Sequence, residues 1–135
     1  MMSVQDNIEE FFKSPSFGVV GASSKRYKYG NKVLRCYLQN GREAIPVNPN
    51  EKEIEGIPAV GSVADLPAEV QSISVITPPE VTEKVVEEAA RRGIMNIWMQ
   101  PGAESDAAVG SAEKKGLNVI ADGSCLLVVL GYREE

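Results

Sequence analysis

An apolar run that ends in glycine and feeds a basic loop constrains this chain more than any other feature. The segment Phe17-Gly-Val-Val-Gly-Ala-Ser-Ser-Lys-Arg-Tyr-Lys-Tyr-Gly30 turns at Gly21, passes through small polar residues and reaches Gly30, where helical spacing begins. That is the layout of a first strand, a phosphate-holding turn and a first helix in a nucleotide-binding α/β domain. Lys25, Arg26 and Lys28 crowd the loop, although the chain is acidic overall, with 14 Lys+Arg against 19 Asp+Glu. Positive charge concentrated there points to a polyanionic ligand carrying a diphosphate.

The remaining periodicity predicts strands alternating with helices. A leading helix is expected over 3–13 and a first strand over 17–20. A helix from about Asn31 carries Val33, Leu34, Tyr37 and Leu38 and stops at Asn40-Gly41. Residues 43–47 read as a second strand. Residues 51–67 read mostly as turns, with one helical turn after Ser62. A third strand follows over 73–76. Thr77-Pro78-Pro79-Glu80 predicts a helix start with Thr77 as cap, Pro78 at the first helical position and Glu80 closing a capping box. A fourth strand over 95–99, a helix over 105–115 and a fifth strand over 117–121 complete the alternation. The apolar run 125–130 is expected to pack back on the body, as one more strand. The pattern implies a doubly wound, mainly parallel sheet in a Rossmann-like three-layer domain spanning 1–135, with 122–135 as a tail.

Composition removes several chemistries. Histidine is absent, which excludes His-based acid–base work, phosphohistidine transfer and Ser-His or Cys-His nucleophiles. No group of acidic residues has metal-ligand spacing, so no metal is expected. The formal net charge of −5 argues against duplex nucleic acid, which needs a broad basic face. No run is long and apolar enough for a membrane span, and nothing resembles a signal peptide. Cys36 and Cys125 do not make a disulfide framework, which with the absent export signal points to the cytoplasm. Cys36 falls among helical core positions. Cys125 reads as a buried or half-buried thiol, with a redox or ligand-thiol contact as the alternative.

In sheets of this kind ligands sit beyond the carboxyl ends of the strands, where the strand order reverses. The loops after the strands are therefore the candidate surface. Gly21 would allow close backbone approach, Ser23 and Ser24 offer hydroxyls, and the helix starting near Gly30 would present free N–H groups. After the second strand the chain reads Val47-Asn48-Pro49, without the acid that grips the ribose in NAD-binding domains, and the G-x-G-x-x-G fingerprint is missing. Plain NAD is disfavoured, whereas a phosphorylated ribose stays open. Thr77 and Pro78 reach the rim as a helix cap or as an apolar wall. Trp98 reads as core. Tyr27 and Tyr29 read either as ligand contacts or as a cover folded over the loop.

Taken together, Val19-Val-Gly-Ala-Ser-Ser24, Tyr37-Leu-Gln-Asn-Gly41, Ile45-Pro-Val-Asn-Pro49, Gly56-Ile-Pro, Ser62-Val-Ala-Asp-Leu-Pro67 and Ile97-Trp-Met-Gln100 resemble the small CoA-binding-domain family. Its members are similar to the CoA-binding half of the succinyl-CoA synthetase alpha subunit. The resemblance covers about 17–121. It implies that coenzyme A is the cofactor and that Gly21, Ala22, Ser23 and Ser24 line the phosphate loop. It further implies that Lys25 contacts a phosphate, that Val47, Asn48 and Pro49 border the adenosine, and that Thr77 and Pro78 flank the cofactor. The family tail Asp-x-Cys is replaced here by Asp122-Gly-Ser-Cys125 and an apolar run. The synthetase phosphohistidine has no counterpart, so a binding module for CoA or acyl-CoA is expected, without ligase chemistry and compatible with a regulatory role. Two alternatives stand beside it. One is an NADP-dependent reductase or redox sensor with Tyr29, Lys32 or Cys125 as proton donor. The other is an interaction subunit that binds no ligand. The sequence does not name a protein partner or an oligomeric state.

Overall fold

The computed structural model describes residues 2–134. Its helices are α1 (Val4–Phe11), α2 (Tyr29–Gln39), α3 (Pro79–Arg92) and α4 (Asp106–Lys114). Its strands are β1 (Ser16–Val20), β2 (Ala44–Val47), β3 (Glu53–Ile54), β4 (Ile57–Pro58), β5 (Val70–Val75), β6 (Asn96–Met99) and β7 (Asn118–Ile120). Five strands form one parallel sheet in the order β2-β1-β5-β6-β7. The chain moves outward from β1 to β2 and then returns to the other side of β1. Strand order therefore reverses between β1 and β5, which opens a crevice at their carboxyl ends.

Alternation along the strands divides the core in two. Val20, Ile73, Val75, Ile97 and Met99 face α3 and α4, whereas Phe17, Val19 and Trp98 face α1 and α2. The α1–α2 side is aromatic. The Phe17 ring stacks on Tyr37 with centroids 4.9 Å apart, and Phe11 meets Trp98 edge-on at 5.3 Å. Small residues of β5 make room for these rings, and Ser74 Oγ lies 2.7 Å from the buried Tyr37 hydroxyl. Tyr37→Phe leaves the Ser74 hydroxyl without its partner in the core and should cost about 1–2 kcal/mol. In a Ser74→Ala background the same change should cost only a few tenths of that. A double-mutant cycle by urea denaturation checks this, and additive effects would remove the hydrogen bond from the explanation.

Three local expectations are corrected. The residue before a proline is driven extended, so Pro78 (φ −57, ψ 148) is the cap and Pro79 the first helical residue of α3. Thr77 does not cap; its hydroxyl pairs with that of Thr82 at 2.8 Å. Within the turn-rich stretch, β3 and β4 pair as a hairpin whose tip, Glu55-Gly56, has positive φ at both positions (53° and 78°), the signature of a type I′ turn. The apolar tail is not a strand. It forms a wide helical turn over Leu127–Gly131 beside α2, anchored by the buried Leu126 and by Asn40 Nδ2 donating to Gly131 O at 2.9 Å. A continuous apolar run has no period of its own, so the neighbouring helix decides its shape. No helix among the described residues is long and apolar enough to cross a membrane.

Candidate functional site

The β1–α2 connection sits at the point of reversal. Gly21 has φ +94, and a Cβ there would lie 2.1 Å from the Ile76 carbonyl oxygen. A Cβ on Gly30 would lie 2.1 Å from the Gly21 carbonyl oxygen. The two glycines thus let the loop close onto the end of β5 and let α2 close onto the loop. The Gly21 backbone also lies close against protein, at the end of β5. α2 starts without a side-chain cap at Lys28. The amides of Ala22, Ser23, Ser24, Tyr29 and Gly30 find no acceptor among the described residues. Unpaired N–H groups at an uncapped helix start bind anions.

A cavity of about 360 Å³ opens over this loop, lined by Gly21, Ala22, Ser23, Lys28, Tyr29, Gly30, Asn48 and Ile76. A second, of about 260 Å³, shares Ile76 with it and adds Thr77, Pro78, Pro101, Gly102 and Ala103. Together they follow the carboxyl ends of β1, β2, β5 and β6. Among the residues expected at the site, Gly21, Ala22, Ser23, Gly30 and Asn48 meet in the first cavity, and Thr77 and Pro78 in the second. Ser24 and Lys25 are exposed on the loop outside both, Pro49 is exposed beyond them, and Val47 is buried in the core. Asn48 is held fast: its Nδ2 donates to Ala22 O at 2.8 Å, and its Oδ1 accepts from Asn50 N at 2.7 Å.

Of the loop cations, Arg26 is paired with Glu55 at 3.2 Å. Lys28 lines the cavity and has no carboxylate partner among the described residues. Its position was legible only once the helix start was fixed. A larger cavity, about 510 Å³, lies elsewhere, between α1, α4 and β7. It is lined by Asp106, Glu113 and Asp122, whose charges would repel a polyanion. No cluster of metal-binding side chains occurs among the described residues.

Tyr29 closes one end of the site. Its hydroxyl lies 3.0 Å from Gln100 Oε1 and 2.6 Å from Cys125 Sγ, and Leu126 N donates to the same Gln100 oxygen at 2.9 Å. Burial, reinforced by the thiol contact, pushes the Tyr29 hydroxyl well above the ordinary tyrosine range. It is therefore a poorer acid than a free tyrosine, which weakens it as the proton donor of a reductase. Trp98 is fully buried, with Nε1 donating to Ser124 O at 2.9 Å.

The profile of the CoA binding domain family matches residues 15–130. The alpha subunit of ADP-forming acetate–CoA ligase II from Pyrococcus furiosus is 28% identical over 84% of this chain, which spans only 25% of that subunit. The uncharacterized protein YneT of Bacillus subtilis is 29% identical, with 82% of each chain covered. The structure of a conserved hypothetical protein from Pyrococcus furiosus superposes with a TM-score of 0.81 at 41% identity, covering 84% of this chain and 97% of that one. With a family profile over most of its length and the crevice and loop in place, the chain belongs to the CoA-binding-domain family.

Proposed function

We propose that the protein binds coenzyme A, or an acyl-CoA, along the carboxyl ends of β1, β2 and β5 as a cytoplasmic binding module without ligase chemistry of its own. The observation that carries this reading is the β1–α2 loop. It sets amides and a Lys28 ammonium without acidic or acceptor partners among the described residues around one cavity at the strand-order reversal, in a chain of this family. Those amides and Lys28 suit the diphosphate. Thr77, Pro78 and Pro101 give the adjoining cavity an apolar wall suited to the less charged parts of the ligand. The lack of histidine supports binding rather than phosphoryl transfer through a phosphohistidine.

Calorimetric titration of ligand-stripped protein with CoA, dephospho-CoA, NADP and NAD tests this. CoA should bind best, and dephospho-CoA more weakly if the loop cations reach the 3′-phosphate. A preference for NADP would replace the reading with a reductase, and silence from all four would replace it with an interaction subunit. Lys28→Ala should weaken CoA roughly three- to tenfold at low salt and less at high salt, because exposed charge pairs are screened. Lys25→Ala should have the smaller effect, since Lys25 lies outside the cavity. Titrations at two ionic strengths decide, and equal losses at both salts would deny Lys28 an electrostatic role.

A further inference from the structure

An anion-binding loop must turn its carbonyl oxygens away from the ligand, because each one left facing it would repel the phosphate. Three of this loop's carbonyls are taken by side chains. Asn48 Nδ2 donates to Ala22 O at 2.8 Å. Asn31 Nδ2 donates to Ser23 O at 2.8 Å. Arg35 Nη2 donates to Arg26 O at 2.7 Å. Asn31 and Arg35 stand one helical turn apart on α2 and are joined, with Arg35 Nε donating to Asn31 Oδ1 at 2.6 Å. Both are buried, round α2 from the buried Val33 and Tyr37 rather than among them. Apolar residues would serve packing better there, since a buried guanidinium carries a desolvation penalty that its contacts must offset. Asn31 Nδ2 also reaches Glu55 Oε2 at 3.1 Å, which ties the tip of the β3–β4 hairpin to the same knot.

We infer that Asn31 and Arg35 are positioning residues for the phosphate loop. By holding the Ser23 and Arg26 carbonyls inward, they keep the loop amides facing the cavity and so set its affinity for a diphosphate. The inference rests on the CoA reading above and names what determines affinity within that site. Arg35 acts here through geometry. Its guanidinium lies beneath the loop and outside the cavity lining, so retaining its charge without its fork does not rescue it.

Arg35→Lys keeps the charge and removes the planar pair of donors. It should weaken both CoA and inorganic diphosphate by about tenfold or more, the scale of one lost hydrogen bond from a charged group. The salt dependence of binding should match wild type, because no charge is lost. Amide hydrogen exchange in the ligand-free protein should accelerate over 22–30 while β1, β5 and β6 keep their protection. If Arg35→Lys does not fold, Asn31→Ala carries the test, with the same confined exchange signature and the same loss for both ligands. Wild-type affinity in the folded variants, or exchange that rises equally across sheet and loop, would overturn the inference while leaving CoA binding intact. Wild-type protein that binds neither CoA nor diphosphate would instead overturn the functional reading, and this inference with it.

Discussion

Gly21→Val should destabilise the whole protein by more than about 3 kcal/mol, a loss large enough to threaten folding. Two costs combine. A β-branched residue at φ +94 sits where L side chains are strained, at a cost of about 1–2 kcal/mol. Its Cβ would also lie 2.1 Å from the Ile76 carbonyl oxygen. That oxygen is backbone at the end of β5, and Ile76 N already donates to Val20 O at 2.8 Å, so it cannot swing aside as a side chain would. The clash is relieved only by parting β1 from β5, the pair on which the crevice is built. The sequence shows at Gly21 only the close approach open to a ligand; the Ile76 carbonyl adds a cost to the fold itself. Urea denaturation gives the answer. A midpoint within about 1 kcal/mol of wild type would mean that the loop is looser than described, and any loss of CoA binding would then be steric.

The parallel sheet and its helices were legible because each carries its own signal. Gly93 stops α3 in the left-handed conformation, and Ser105 caps α4 through Ala108 N at 3.0 Å. The phosphate loop was legible as a place, from Gly21 and Gly30, but its inner construction was not. Asn48, Asn31 and Arg35 converge on loop carbonyls from 26, 8 and 9 residues away, and no local pattern marks a side chain for such a contact. Asn31 and Arg35 share a face by their i, i+4 spacing, but Lys28, Lys32 and Gln39 flank them there, so in sequence that face reads as solvated. The Tyr29–Cys125 approach spans 96 residues and depends on the tail curling beside α2, where the sequence suggested a strand. The β3–β4 hairpin escaped notice because its strands are two residues each and its turn uses Glu-Gly in place of the commoner Asn-Gly or Asp-Gly.

The α2 face should also make the protein sensitive to alkali. Burial pushes the Cys36 thiol up to about 11, while an unfolded cysteine titrates near about 8.5. Burial likewise drives Tyr37 far above the usual tyrosine range, outweighing its hydrogen bond with Ser74, and Tyr29 moves the same way. In each case the folded protein keeps a proton that the unfolded chain gives up, so the unfolded state binds fewer protons and stability falls as pH rises. The contribution of Cys36 is fully present below about pH 8.5 and is lost as pH climbs through about 11, a change on the order of 3 kcal/mol. The tyrosines extend the decline above about pH 10. Urea midpoints should therefore hold steady from pH 7 to 8 and drop steadily from about pH 9. Cys36→Ala should flatten the part of the slope below about pH 10 while leaving the steeper tyrosine limb above it. If midpoints stayed constant from pH 8 to about 10.5 in wild type, Cys36 would have to ionise as freely in the folded protein as in the unfolded chain. That behaviour is incompatible with a thiol sealed beneath Leu126 and the tail, because burial alone is what raises it most.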